Sequence, residues 1–239
     1  MKTISTFTKT LSVAVAAAFF TSCLGDNEQA FTVNLSGYIL QEVEEQDEVL
    51  SYSYYPFLQV VSIYGHTLTS CSAQGPGGMP ISLTKYSNYE YISNLNATFP
   101  SSVLPVGSYT ASATNDVGET LQVSASFVGS TIMPNTLKGS VVYNPENYQV
   151  NATFNKMENA TDYVLILESV SQAGPFSILK NWSEATLEDR EWVAPDASIE
   201  SMIPLLGSGT YRLSVATMIA NTTSTILLQK GASTTFTIQ

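Results

Sequence analysis

The chain has 239 residues, of which 44% are hydrophobic and only 12% are charged, so it can bury a substantial core. Its formal net charge of −11 at pH 7 excludes the strongly basic surface that holds nucleic-acid phosphates. One histidine and two cysteines are too few for a zinc cluster built from those residue types, and no cofactor is predicted.

The first segment, residues 1–22, has the pattern of a secretion signal. Two lysines give it a positive start, and its apolar run over residues 11–20 is too short to be a permanent membrane span. The small residues Thr21 and Ser22 then precede Cys23. This order resembles the lipobox of bacterial lipoproteins, which implies that Cys23 becomes the mature N-terminus and carries lipid. An ordinary signal peptide is the alternative.

A short tether follows at residues 23–30 and contains Asp26 and Glu28. It resembles the acidic stretch that directs lipoproteins of Bacteroidetes-type bacteria to the outer face of the outer membrane; a solvated linker is the alternative. More than one acyl chain gives lasting attachment, so the membrane is a predicted partner. The predicted location is the outer membrane, with the cell surface preferred to the periplasmic face.

From Phe31 onward, short runs alternate apolar and polar residues and are rich in β-branched and aromatic side chains. The clearest runs are residues 31–35, 121–125, 163–167, 211–215 and 234–238. Only residues 183–191 favour a helix, with Ser183 as its N-terminal cap. The pattern predicts an all-β protein.

The strongest charge cluster in the chain comes early, at residues 42–48. Its acids are Glu42, Glu44, Glu45, Asp47 and Glu48. Their spacing does not match an EF-hand loop, so no metal is assigned, although calcium binding is left open. A solvated loop, or an edge strand protected by its charges, is the preferred interpretation.

A weak internal repeat divides the chain into two halves. The run LPVGSYTASAT at residues 104–114 is followed about one hundred residues later by LGSGTYRLSVAT at residues 206–217. A period of that length is the size of an immunoglobulin-type sandwich. We therefore predict two tandem immunoglobulin-like β-sandwich domains, at residues 31–132 and 133–239.

The second half also carries motifs of a known domain. Residues 150–154 look like its strand B, with Phe154 in place of the usual core tryptophan, and residues 158–167 look like the turn into strand C. Together with the corner before Tyr211, they resemble a fibronectin type III domain. The resemblance implies that the Tyr211 hydroxyl bonds back to the backbone upstream of it. Tyr109 is in a similar corner in the first half.

Reactive groups are few. His66 is the single histidine, so any catalytic triad would depend on it, and no nucleophile-elbow or phosphate-loop motif accompanies it. With Cys23 lipidated, Cys71 has no disulfide partner within the chain and is expected to be a buried thiol that packs as a small hydrophobe. No enzymatic activity is predicted.

Aromatic side chains are the predicted binding groups, because flat rings with a polar edge suit sugar faces and protein interfaces. The tentative ligand-binding residues are Tyr52, Tyr54, Tyr55, Trp182 and Trp192. Packing within sheets and core is the alternative for each of them. One of the two tryptophans is expected to fill the core space that Phe154 leaves.

These features together predict a lipid-anchored outer-membrane protein that acts as a non-catalytic binding or adhesion module. A glycan or a surface protein is the predicted partner, and nucleic acid is not. A structural subunit of a surface fibre or membrane-protein assembly is the alternative function.

Overall fold

The computed structural model describes residues 30–95, 100–170, 176–184, 187, 192–193, 196–220 and 226–239. Cys23, the signal segment and nearly all of the tether therefore lie outside the described residues. In the part of the chain that is described, no helix is long and apolar enough to cross a membrane.

The described residues fold almost entirely into strands, which confirms the all-β prediction. The strands are β1 (Val33–Gln46), β2 (Val49–Ser62), β3 (Leu68–Gln74), β4 (Pro80–Ile81), β5 (Leu83–Ser87), β6 (Glu90–Ser93), β7 (Gly107–Asn115), β8 (Thr120–Phe127), β9 (Gly139–Asn144), β10 (Gln149–Asn155), β11 (Asp162–Ser169), β12 (Ser177–Ser183), β13 (Trp192–Val193), β14 (Asp196–Ser198), β15 (Gly209–Ala220) and β16 (Ile226–Ile238). All five of the alternating runs lie in strands, although the first strand begins at Val33 rather than Phe31.

The predicted helix at residues 183–191 is wrong at its start. Ser183 is the last residue of β12, where it pairs with Asp162 of β11, so it does not cap a helix. Most of the remaining positions lie outside the described residues. Pairing with a neighbouring strand outweighs the capping preference of one serine, because local propensity is weaker than tertiary context.

Three sheets form two sandwiches, and one large sheet belongs to both of them. A large sheet has the order β12-β11-β15-β16-β1-β2-β6-β5, and each half of the chain supplies four of its strands. The first half adds a back sheet, β4-β3-β7-β8, and the second half adds another from β9, β10, β13 and β14. The halves meet where β1 and β16 pair in parallel, with Ile39 beside Leu227. The sandwiches therefore lie side by side along a continuous sheet.

A long hairpin of β1 and β2 forms the frame of the first half. The two strands pair without interruption from Val33 with Ser62 to Gln46 with Val49. Asp47 and Glu48 turn the chain with φ angles of 52° and 64°, the left-handed values of a type I′ hairpin. The acidic cluster at residues 42–48 is thus a strand end and its turn. No group of three or more potential ligands within the described residues could hold a metal ion.

The segment between the halves is fastened on both sides. Residues 133–138 connect the two halves, and within them Met133 and Leu137 are 0% and 4% exposed. Gln41 of β1 and Gln229 of β16 are buried, and their side chains bond to the backbone of this segment. The predicted domain boundary therefore falls in a stretch that contributes to the common core rather than in a loose linker.

Both halves contain the predicted corner. The Tyr211 hydroxyl donates to the carbonyl oxygen of Gly207 at 2.9 Å, as the fibronectin resemblance implies. The Tyr109 hydroxyl donates to Pro105 in the same way at 2.6 Å. In each case the bond spans four residues and fixes the chain as it enters β15 or β7.

The core of the second half is built on three rings. Phe154, which is 1% exposed, stacks on Tyr163 with centroids 4.7 Å apart. The Trp182 ring lies 6.0 Å from that of Phe154 and is 9% exposed, and Trp182 pairs with Tyr163 across β11 and β12. Trp182 therefore fills the space beside Phe154 that the missing core tryptophan would occupy.

Candidate functional site

The three predicted tyrosines of β2 do not form one surface. Tyr54 is 3% exposed and belongs to the core. Tyr52 is half-buried, and its hydroxyl donates to the carbonyl oxygen of Pro134 at 2.8 Å, so it helps to hold the connecting segment. Tyr55 packs on a second apolar cluster that includes Leu40. Alternate residues of a strand point to opposite faces, which separates Tyr55 from the other two.

The two predicted tryptophans lie in different sheets. Trp182 of β12 is packed in the core, whereas Trp192 of β13 pairs with Asn155 of β10, and its side chain is outside the described residues. The structure thus does not bring the five predicted residues together, and ligand binding by them stays a prediction.

The second half contains an aromatic groove that the sequence did not indicate. Its volume is about 440 Å³. The walls come from the end of β9 with its following turn, from a short 3-10 turn at Ile203–Leu205, and from the end of β16. The lining residues are Tyr143, Pro145, Tyr148, Ile203, Thr235, Phe236, Thr237 and Ile238. We call this feature the aromatic groove.

The turn between β9 and β10 is held by its own asparagines. The Asn144 side-chain oxygen accepts from the amide of Glu146 at 3.0 Å, and that of Asn147 accepts from Gln149 at 3.2 Å. Tyr148 adopts a φ of 56°, a left-handed conformation that costs a non-glycine residue on the order of 1 kcal/mol. The bonded turn holds this residue at the groove wall.

The rings of the groove are fixed before any ligand arrives. The centroids of Tyr143 and Phe236 lie 4.7 Å apart with the rings tilted by 43°. Phe236 also stacks on the corner tyrosine, Tyr211, at 5.7 Å. Because the Tyr211 hydroxyl is bonded to Gly207, this stack is anchored to the backbone. Rigid aromatic side chains lose little entropy when they bind, which favours recognition at such a site.

The groove is electrically neutral. None of its lining residues carries a charge. Burial raises the pKa of Tyr143, and the neighbouring Tyr148 raises it further, so the Tyr143 hydroxyl is protonated at neutral pH. Such a hydroxyl can both donate and accept hydrogen bonds. The arrangement of apolar faces with hydroxyl edges suits a neutral ligand that itself combines apolar faces and hydroxyl groups.

Cys71 lies half-buried in β3 against the main core and forms no disulfide. Burial raises the pKa of its thiol to about 11, although a backbone hydrogen bond from Ser72 opposes the shift. Since the thiolate is the reacting form, we expect native Cys71 to be alkylated by iodoacetamide about 100-fold more slowly at pH 8 than an ordinary cysteine. The rate should rise about tenfold per pH unit up to the raised pKa.

The measurement is mass spectrometry of the peptide that contains Cys71, sampled over time at several pH values. The same protein in denaturant is the control, because unfolding restores an ordinary thiol. Equal rates for the native and the unfolded protein would show that the thiol is not protected.

No protein-family model matches the chain, and no curated protein matches it either. Solved structures that align with it include a tetra-tandem repeat from the extending region of a large adhesion protein (13% identity, 86% of this chain, TM-score 0.27). Others are a cytokine receptor complex (10% identity, 76% of this chain and 90% of that chain, TM-score 0.27) and the human OSCAR ligand-binding domain (13%, 85% and 98%, TM-score 0.23). This chain spans 50% of the adhesion-protein chain. Similarities at this level carry no argument about function.

Proposed function

We propose that this protein is a bacterial lipoprotein, attached through Cys23 to the outer membrane on its surface side, that binds a neutral glycan without catalysis. The anchor is supported by the lipobox-like order of residues before Cys23. The binding role is supported by the aromatic groove. The anchor and the groove involve different parts of the chain, so the two parts of the proposal can be tested separately.

The observation that carries the binding role is the position of the groove. β1 runs away from Phe31, and β16 runs parallel to it, so the end of β16 at Ile238 points away from the tether. A strand as long as β1 spans on the order of 40 Å. The groove therefore lies at the end of the large sheet farthest from Phe31. Under the proposed anchoring, a ligand outside the membrane can reach that end.

The chemistry of the groove favours a glycan over a charged ligand. Pyranose rings present apolar C–H faces that pack on aromatic rings such as Tyr143 and Phe236, while their hydroxyls bond to groups such as the tyrosine hydroxyl. A phosphate or a carboxylate would need a basic partner, and no lining residue supplies one.

The test is retention of the full-length, lipidated protein, held in detergent micelles, on a panel of immobilised neutral and acidic polysaccharides. We expect retention on a neutral polysaccharide and a loss of about tenfold or more in affinity for Phe236→Ala and for Tyr143→Ala, because buried aromatic anchors dominate such contacts. Val142→Ala is the matched control, since Val142 neighbours Tyr143 but is 57% exposed and outside the groove.

Thermal unfolding of each variant shows whether it is folded, and Tyr148→Ala supplies a third groove variant at the edge of the packed rings. Retention that is unchanged in all three folded groove variants would contradict the proposed site. Absence of retention on every polysaccharide would contradict glycan binding itself.

A further inference from the structure

The end of the first half next to the tether exposes four large apolar side chains, two of them tyrosines. Ile63 is 48% exposed, Tyr64 51%, Tyr89 46% and Val117 71%. No other aromatic side chain in the described part of the chain is as exposed as Tyr64 and Tyr89. We call this set of four residues the tether end.

The loops that carry these residues are bonded to one another. The amide of Ser62 donates to the carbonyl oxygen of Tyr89 at 2.8 Å, and that of Leu68 donates to Asn88 at 2.7 Å. The amide of Ile63 donates to Thr32 at 3.0 Å, which brings the start of the described chain to the same place. The exposure of the four side chains is therefore a property of an ordered surface.

The turn that carries Val117 is organised in the same way. The Asn115 side-chain oxygen accepts from the amides of Val117 at 3.1 Å and Glu119 at 2.8 Å. Asn115 pairs with Leu68 across the back sheet, which places this turn beside the loop of Ile63 and Tyr64.

The tether limits how far this surface can be from the anchor. Seven residues, 24–30, separate Cys23 from Phe31. A fully extended chain of that length reaches at most about 28 Å. This inference rests on the proposed lipidation of Cys23; with it, the tether end is held close to the headgroups of the bilayer.

The distribution of charge favours the same orientation. The elements that form the tether end carry one base and three acids, Lys85, Glu90, Asp116 and Glu119, whereas the five acids of the cluster at residues 42–48 lie at the opposite end of the β1–β2 hairpin. An acidic turn is repelled by an anionic lipid surface, and tyrosines are enriched where protein meets the headgroup layer.

We propose that the tether end rests on the lipid surface in which Cys23 is anchored, with Tyr64 and Tyr89 at the level of the headgroups. The contact gives the molecule a fixed orientation relative to the membrane, which a lipid attached at one residue does not define. In that orientation the hairpin with its acidic cluster, and the aromatic groove, project away from the membrane.

The test uses Y64W in the full-length lipidated protein, reconstituted in phosphatidylcholine vesicles with and without lipids brominated near the headgroup. The fluorescence of the new tryptophan is obtained by subtracting the emission of the unaltered chain. In vesicles this fluorescence should shift to shorter wavelength, and the brominated lipid should quench most of it. L205W is the matched control, since Leu205 is 74% exposed beside the aromatic groove, and its added emission should remain.

Y89W is the second probe and keeps the test valid if Y64W does not fold. Flotation of the vesicles separates the two proposals. A protein that does not float with the vesicles overturns the anchoring, whereas one that floats but leaves Y64W and Y89W as unquenched as L205W overturns this inference alone.

Discussion

Replacing Phe154 by alanine is expected to destabilise the protein by about 3–5 kcal/mol, the largest effect of any single substitution proposed for this chain. The side chain is 1% exposed and packs against the rings of Tyr163 and Trp182, which pair across β11 and β12. Its removal leaves a cavity that two large rings on different strands cannot close without leaving their positions. Both the lost burial and the lost ring contacts contribute to the cost.

The measurement is urea unfolding followed by the fluorescence of the two tryptophans, of which Trp182 packs beside Phe154. Val117→Ala serves as the control, because Val117 is 71% exposed and its truncation should cost less than about 0.5 kcal/mol. If the two substitutions have similar effects, then Phe154 is not at the centre of the core.

Gln229→Leu is expected to cost about 2–4 kcal/mol, although the new side chain has a similar size. Gln229 is 2% exposed; its amide nitrogen donates to the carbonyl oxygen of Asn135 at 3.0 Å, and its oxygen accepts from the amide of Leu137. The substitution leaves both backbone groups without these partners, and an unpaired buried polar group carries its full desolvation cost.

The result bears on how the halves are joined. Gln229, on β16, bonds to the connecting segment from the second half. Gln41, on β1, bonds to it from the first half, because its side-chain nitrogen donates to the carbonyl oxygen of Met133 at 2.7 Å. We expect the unaltered protein to unfold in one transition and Gln229→Leu to lower its midpoint. Gln74→Ala, at an exposed position of β3, is the control. A midpoint that does not change in Gln229→Leu would mean that the segment is held by other contacts.

The strands and corners were predictable because their signals are local. Short runs of β-branched, aromatic and other apolar residues identify β11 and β15 from their sequences alone. Residues 163–167 are all buried, so this part of the large sheet is covered on both faces. A tyrosine four residues after the carbonyl it bonds needs no distant partner, so the corner at Tyr211 could be inferred from a short motif. That one of the two tryptophans packs in the core could be expected from volume, because a phenylalanine in a tryptophan's place leaves room. The sequence did not show that this residue is Trp182.

No local sequence signal predicts how the two sandwiches are joined. β1 and β16 pair across nearly the whole length of the chain, and pairing between distant strands leaves no local pattern. The turn at Asp47 and Glu48 was missed because type I′ turns usually carry asparagine or glycine. The aromatic groove combines two tyrosines that flank an Asn-Pro turn with Phe236, which comes from a distant strand. The denser aromatic run from Tyr52 to Tyr55 was predicted to bind a ligand, but its rings pack within the protein.

The orientation of the groove and the contact at the tether end both depend on the lipid at Cys23. The intact mass of the mature protein, extracted with detergent from the membrane of its own cells, tests this claim most directly. We predict a chain that begins at Cys23 and carries the added mass of more than one acyl chain on that residue. A mature chain that begins at any other residue, or an unmodified Cys23, would contradict it.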